Sequence, residues 1–556
     1  MDYIIQKELG KQGLETLVVN GYYLHSKYNP IREAAQLADK FYKPHHLHIL
    51  FGFGLGYIVE ELIPLFKFNE PLLILDPLID SGNLTMKKYD YSRLYMHNCS
   101  DIPHLTNLLD QLASYTDKIT MLPSINYDKI AFNELSKITE LIKEIKMKQI
   151  ININTSNKYS MEWQINYFMN TITAGKDNSL KILEKRYDAP VVVVSAGPSL
   201  SKQLDLIKKN RNKMILICAG SAINTLLKEE IIPDYIVSID GGIYNYRHFE
   251  NLKFDEATLI YSPTHHYKIR GCFTNKALLF VPHVRPQIQK NYQKRFGEEY
   301  PIMNGGGSVA HFAFSIAKYI TKGPICLIGQ DLAFTDQYSH AAGNKLRRKL
   351  DVNSVEIREV EGYYNDTVLS NNSLVVIKNT LEELQALHPH ENKVFNCTEG
   401  GAKIRYFNQL PFSEFIECYC TLNCKKEDIS TSTKEKTSIF NEELEKYKEV
   451  LKLLKKGLEV INNDTNLFIA KNTLNKLSKI ERQLNIFYDD ILIDMLFEPE
   501  ILFTRDKYLP QINETKLEEH QRVRKYTYDL YTRCKIKIEE LIINIMEILE
   551  EQKHGT

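Results

Sequence analysis

The chain has 556 residues, 43% hydrophobic and 25% charged, with 70 basic side chains balanced by 70 acidic ones. This is ordinary globular composition for three or four domains. It excludes a global basic field of the kind that holds nucleic acid, so any anion site must be local. Nine cysteines without paired spacing point to a reducing compartment, and Cys418, Cys420 and Cys424 read as ordinary thiols because no second half of a zinc site follows.

The opening "MDYIIQKELG" has no basic-then-apolar signal, and no apolar run reaches the roughly 18 residues that span a bilayer. A soluble, cytoplasmic protein without membrane insertion is expected. Residues 1–120 carry "LHILFGFGLGYIVEELI" and "PLLILDPLID", which is strand, Gly-rich turn, helix, strand: an N-terminal Rossmann-like α/β domain. Gly52, Gly54 and Gly56 lie in the turn, and Asp76 ends the next strand 20 residues past Gly56. The pattern resembles the nucleotide-binding turn of Rossmann methyltransferases. It is also compatible with a purely structural turn, since Pro77 follows Asp76 and no methyltransferase motif comes later.

Residues 121–185 space their apolar side chains three and four apart, as in "FNELSKITELIKEIKMKQI" and "MEWQINYFMNTITA", and form a helical connector. Residues 186–424 alternate strands ("PVVVVSAG", "MILICAG", "PDYIVSID", "ATLIYSP", "ALLFVP", "PICLIGQD") with helical stretches. This predicts a Rossmann-like doubly wound sheet with its ligands beyond the strands' carboxyl ends. A polar run at 425–438 reads as a linker, and residues 425–556 as a C-terminal α-helical domain. There Leu444, Tyr447, Leu451, Leu454 and Leu458 share one helical face, and a second long helix runs from about Leu517 to Leu549.

The central block holds the site candidates. Gly197, Pro198, Ser199 and Leu200 turn the chain from the valine strand into a helix that Ser199 or Ser201 would cap, a setting that favours phosphate. Asn304, Gly305, Gly306, Gly307 and Ser308 open a second helix, whose apolar face (Val309, Phe312, Ala313, Ile316) would pack on the sheet. Other strands end in Gly220 and Ser221, in Asp240 and Gly241, and in Gly329 and Asp331. So many small, polar or acidic strand ends on one edge predict a ligand cleft.

The segments 191–204, 303–320 and 326–343 resemble the core of the motility-associated factor (Maf) flagellin glycosyltransferases. That core is similar to bacterial sialyltransferases that use CMP-sialic acid. The likeness extends to "YYLHSKYNPIREA" (22–34), the Gly52 to Gly56 turn and "NCTEGGAKI" (396–404). It implies transfer of a nonulosonic acid, such as pseudaminic or legionaminic acid, from a CMP-activated donor to Ser or Thr of flagellin. It also implies donor binding by Gly197, Pro198, Ser199, Leu200, Gly306, Gly307, Ser308, Gly329 and Asp331, with Gly220, Ser221, Asp240, Asn304 and Gly305 joining them as candidates from their place on the same edge. His340 lies in the loop where that family carries its base, though Leu332, Ala333 and Phe334 stand where the sialyltransferases have a tyrosine after the aspartate, and Ala196 replaces their asparagine.

The chemistry fits a monophosphate leaving group stabilised by helix N-termini, an oxocarbenium-like centre and a histidine that deprotonates the acceptor. No Asp-x-Asp pair is present, so no metal or other cofactor is expected. His265 and His266 in "SPTHHYK" compete with His340 for the base. Two other readings stand beside this one. The central block also resembles archaeal pterin pyrophosphokinases, which would use ATP with magnesium held by Asp240 and Asp331. A non-catalytic flagellin-binding protein would instead use the C-terminal helical stripe.

Overall fold

A computed structural model describes residues 3–79, 89–113, 118–274, 277–335, 337–345, 347, 349, 357–389, 392–429 and 439–554. The chain forms two compact units, Met1–Thr155 with Leu509–Glu519, and Ser156–Tyr508 with His520–Thr556. The division falls inside the single helix Phe132–Ala174, in the stretch read as a connector. Most of the 425–438 run lies outside the described residues. No described helix is long and apolar enough to cross a membrane.

The first unit is built on a four-stranded parallel sheet in the order Leu94–His97, Leu72–Leu75, Leu47–Phe51, Ile119–Pro123. The two central strands, "LHILF" and "LLIL", are wholly buried, as near-continuous apolar runs in parallel sheets must be. Helix Pro30–Phe41 begins where Asn29 accepts from the Arg32 amide at 2.9 Å and Pro30 supplies a pre-set first turn. It packs Ala34, Ala38 and Phe41 beneath Leu50 and Ile74. A small antiparallel sheet of Ile5–Leu9, Glu15–Val19 and Tyr22–Tyr23 joins this unit. The late segment Leu509–Glu519 returns to it, and the His45 ring meets the Pro510 carbonyl at 2.6 Å.

The second unit carries a nine-stranded, all-parallel sheet. Its order is Asn408–Gln409, Val394–Asn396, Ile325–Ile328, Val191–Val194, Ile215–Ala219, Tyr235–Ser238, Thr258–Tyr261, Ala277–Leu279, Asn178–Ser179. Strand order therefore reverses beside Val191–Val194: the next strands run off to one side, and Ile325–Ile328 comes back on the other. Each of the six strands expected for this region forms at its place. The two edge strands and Val394–Asn396 beside one of them, of two or three residues each, were too short to leave a pattern. The four valines divide between faces. Val192 and Val194 enter one core with Leu216 and Ile207, while Val191 and Val193 enter the other with Phe312 and Ile316. Burying each valine is worth about 1.5–3 kcal/mol, which is why the run contains no polar residue. Helix Val309–Ile320 lies on that second face.

The C-terminal helices Phe440–Asn462, Lys471–Asp490, Asp494–Lys507 and Lys516–His554 close around a core with Phe168 and Met169 of the connector helix. The expected stripe turns inward: Leu444, Tyr447 and Leu454 are buried, with Leu451 and Leu458 packed against them. Polar groups tie this core to the sheet layer. Gln164 donates at 2.8 Å to both Tyr447 Oη and the Ile491 carbonyl, and the buried Arg295 pairs with Glu443 and Asp490 at 3.0 Å. Gly457, within helix Phe440–Asn462, lies under the Tyr531 ring, which a Cβ would overlap.

Gly457→Ala therefore tests packing against propensity. Alanine gains about 1 kcal/mol of helix propensity, but overpacking costs ~1–3 kcal/mol. The urea midpoint of the second unit is expected to fall; a midpoint raised by the full propensity gain would show that Tyr531 yields at no cost.

Candidate functional site: the carboxyl edge of the large sheet

The Gly-rich turn of the first unit is closed by its own side chains. The Gly52 amide donates to the Leu75 carbonyl (2.8 Å), Phe53 and Gly54 to Asp76 Oδ2 (2.6 and 3.4 Å), Leu55 to His25 Nε2 (2.9 Å), and Gly56 to the Phe53 carbonyl (3.0 Å). Asp76 is fully buried and accepts from Tyr127 Oη at 2.7 Å. Positive φ angles and missing Cβ atoms at Gly52 and Gly54 leave room for the Tyr127 and His25 rings, not for a ligand. No amide from 52 to 56 remains for a phosphate, so of the two readings of this turn the geometry matches the structural one.

In the second unit the reversal of strand order opens between the ends of Val191–Val194 and Ile325–Ile328, where ligands of doubly wound sheets sit. The two ends are bonded together. Gly197 N donates to Gly329 O at 2.7 Å, and Ser195 Oγ to Gln330 Oε1. The Ser199 amide and hydroxyl both donate to Asp331, the hydroxyl at 2.7 Å. A Cβ at Gly197 would overlap the Asp331 carboxylate. Leu200 N donates to Gly197 O at 3.1 Å.

The anion held by this turn is thus the chain's own Asp331, which is 3% exposed. Ser199 and Ser201 cap no α-helix. The turn runs into a 3₁₀ segment, Pro198–Lys202, and the α-helix after it starts at Leu204. Periodicity could not foresee this, because the partner carboxylate lies 132 residues further on. Behind Asp331 stands the "NCTEGGAKI" block: Thr398 Oγ1 accepts from Gln330 N (3.2 Å), and Ala402 N donates to Asp331 O (2.7 Å). Gly401, at φ +69°, leaves no room for a side chain against that carbonyl.

The 304–308 segment behaves differently. Helix Val309–Ile320 ends beside the entry of the valine strand, where Lys322 N donates to Tyr187 O. Twelve residues span ~18 Å, so its N-terminus stands at the opposite, carboxyl edge. Ser308 caps it, accepting from Ala310 N at 3.3 Å. Among the described residues the amides of Gly305, Gly307 and Ser308 find no acceptor, while the Gly306 backbone interacts with the His311 ring. Gly305 makes way for the Phe312 ring and Gly306 for His311, whereas Gly307 faces open space. Free amides at a helix N-terminus favour an anion.

The remaining candidates line the same edge. Gly220 packs on Phe249, and the Ser221 carbonyl accepts from Asn344 Nδ2 at 2.7 Å. Ala341 N donates to Ala196 O at 2.8 Å, which sets the half-buried His340 next to the 197–200 turn. His340 Nδ1 is 3.0 Å from Ser339 Oγ. The two competing histidines are interior. His265 is fully buried against Tyr261 with Nδ1 3.2 Å from Ser238 Oγ, and burial drives its pKa far below the ordinary value. His266 is stacked between Tyr246 and Tyr267.

Asp240 is exposed, with Oδ1 accepting from Gly242 N at 2.9 Å. It lies three strands from Asp331, ~14 Å across the sheet, so the two carboxylates do not converge on one cation. Among the described residues no three His, Cys, Asp or Glu side chains are placed to hold a metal ion. The sequence reading also missed the connector helix as part of this edge. Asn166 Nδ2 donates to Gly241 O (3.0 Å), and Asn170 Nδ2 to Pro263 O and His265 O (2.8 Å each). The available signal was two asparagines one turn apart within an apolar helix face.

Burial lowers the pKa of His25, His48 and His266 to about 4, so all three are neutral near pH 7. Unfolded, each would titrate near 6.5. The unfolded chain then binds the extra protons, and stability present above pH 6.5 is lost as pH falls toward 4, by on the order of 3 kcal/mol per group. Tm is expected to drop between pH 7.5 and 5.5. His25→Gln, which keeps an acceptor for Leu55 N, should flatten that slope; a mutant with the wild-type slope would show that His25 does not carry it.

Residues 165–337, about a third of the chain, match the family described as 6-hydroxymethylpterin diphosphokinase MptE-like. No curated protein matches the chain. The architecture is a mixed α/β one, with a large Rossmann-like parallel sheet and a C-terminal helical region. Its fold is that of a Maf glycosyltransferase. The Maf glycosyltransferase from Magnetospirillum magneticum AMB-1 aligns over 99% of this chain and 95% of its own, with a TM-score of 0.62 at 16% identity.

Proposed function

We propose that this chain is a glycosyltransferase that moves a nonulosonic acid, of the pseudaminic or legionaminic type, from a CMP-activated donor to Ser or Thr of flagellin. The observation that carries this reading is the fold likeness, which takes in nearly the whole chain and not the central sheet alone. The edge supplies suitable chemistry. The 304–308 amides receive the phosphate whose charge grows as the glycosidic bond breaks. Asp331 and the 197–200 turn form a rigid floor. His340 accepts the proton of the incoming hydroxyl. A monophosphate leaving group needs no metal clamp in this scheme.

The matched family's description favours a second reading, an ATP- and magnesium-dependent pterin diphosphokinase. The ~14 Å between the strands of Asp240 and Asp331 argues against the shared cation that reading requires.

The deciding experiment compares the intact mass of flagellin made with and without this protein in cells that supply CMP-nonulosonates. A mass increment of one sugar acid per modified site supports the proposal; equal masses overturn it. In vitro, CMP should raise Tm and ATP with magnesium should not. Gly307→Trp should remove the CMP effect without lowering the basal Tm, because the position faces open space. A mutant that still responds to CMP would exclude this helix start.

For His340→Ala, turnover should fall by ~10²–10⁴-fold with CMP affinity nearly unchanged, the pattern of a lost general base. The wild-type rate should rise with pH through a histidine pKa, and the mutant should lack that limb. Near-normal turnover would assign the base elsewhere.

A further inference from the structure

The chain has one tryptophan, and it lies on this edge. Trp163 and Tyr159, one turn apart on helix Phe132–Ala174, are stacked with ring centroids 6.2 Å apart. Both are half-buried against the loop that follows strand Tyr235–Ser238. A Cβ at Gly241 would touch the indole at 2.9 Å, and one at Gly242 would stand 4.0 Å from the Tyr159 ring. Gly241 therefore makes space for the indole, and Gly242 lies in ordinary contact with the Tyr159 ring. Asn166, on the same helical face, fixes the loop through Gly241 O.

Two carboxylates flank the rings. Asp240 is exposed, and Glu162 accepts from the Ile243 amide and feels the Asp240 charge. Beyond them Tyr244 is 53% exposed, with Arg247 over its face at 4.9 Å.

We propose that Tyr159, Glu162, Trp163 and Asp240 form the nucleoside subsite of the donor crevice. This rests on the reading of a nucleotide-linked donor and specifies which end of it goes where. Ionised carboxylates only accept hydrogen bonds. Phosphate and a sugar acid offer acceptors and negative charge, which the two carboxylates do not receive, while Lys158 and Arg247 lie over the Tyr159 and Tyr244 rings. A ribose diol and an exocyclic amine offer donors, and a base offers a flat face to an aromatic ring. Strand Tyr235–Ser238 lies two strands from the valine strand, about 10 Å along the edge. A nucleotide whose phosphate rests near the strand reversal reaches that far with its nucleoside. Asp240 takes the ribose hydroxyls, and the aromatic pair takes the base.

The test uses the full-length protein, calorimetry and the fluorescence of Trp163. CMP should change the tryptophan emission on binding, and 2′-deoxy-CMP should bind at least ~10-fold more weakly, as one lost charge-assisted hydrogen bond predicts. Asp240→Asn can still accept from Gly242 N and should fold. It should weaken CMP about tenfold and erase the preference for ribose. Equal affinity of the wild type for CMP and 2′-deoxy-CMP, or CMP binding without any change in emission, would overturn the subsite while leaving the donor reading in place. Failure of CMP to bind the wild type at all would remove the donor reading, and the subsite with it.

Discussion

Everything at the edge of the large sheet depends on where one buried carboxyl group goes. Asp331 ends its strand with a carboxylate that solvent barely reaches. Burial raises its pKa, and the bonds from Thr335 and Ser199 oppose that shift without cancelling it. A buried ionised group left unpaired is very costly, so the Ser199 amide and hydroxyl are required where they are. That requirement pins the valine strand's turn to the end of Ile325–Ile328. It also makes Gly197 obligatory, since any side chain there would displace the carboxylate. With the first turn consumed in this way, the amides of Gly305, Gly307 and Ser308 are the ones left without an acceptor among the described site residues. One turn is architecture and the other is available for chemistry, although both present glycine and serine at a helix start.

Helix Phe132–Ala174 extends the same logic sideways. Its polar residues past position 156 point to three different tasks. Gln164 reaches the C-terminal helices, Asn166 and Asn170 hold the loops after two strands, and Glu162 faces the open edge. A helix with such duties cannot be uniformly amphipathic. Read alone, the segment gave apolar spacing and therefore a connector, because side chains that satisfy loop carbonyls look like ordinary polar positions until the loops are in place.

The strands of the large sheet were legible because both of their faces are buried, which leaves uninterrupted apolar runs bounded by turn residues. Helix Val309–Ile320 was legible from the periodic spacing of its apolar residues after a Ser308 cap, although in the fold it is buried nearly all round. The hairpin Ile357–Glu361 and Thr367–Asn371 was not seen, since its strands are half-exposed and mix charge with apolar residues. The site was legible only as a list of small and acidic strand ends. Which amides are spent and which are open depends on partners far away in sequence, as with Ser199 and Asp331 or Leu55 and His25. The glycines of the 52–56 turn show the same limit. Their spacing records the passage of a tyrosine and a histidine ring rather than of a ligand.

The first unit contains two segments more than 350 residues apart in sequence, and this bears on the order of events during synthesis. Its sheet and helices are translated by Thr155, yet Leu509–Glu519, with the Pro510 carbonyl that meets His45, comes more than 350 residues later. At ~5–20 residues per second a ribosome needs roughly 20–70 s to cover that stretch. Throughout that interval the nascent unit must persist without its last segment, and the surface reserved for it stays uncovered while the whole large sheet is being made. The late segment then acts as a latch set by the ribosome, closing the first unit with residues that emerge only after the large sheet has been made.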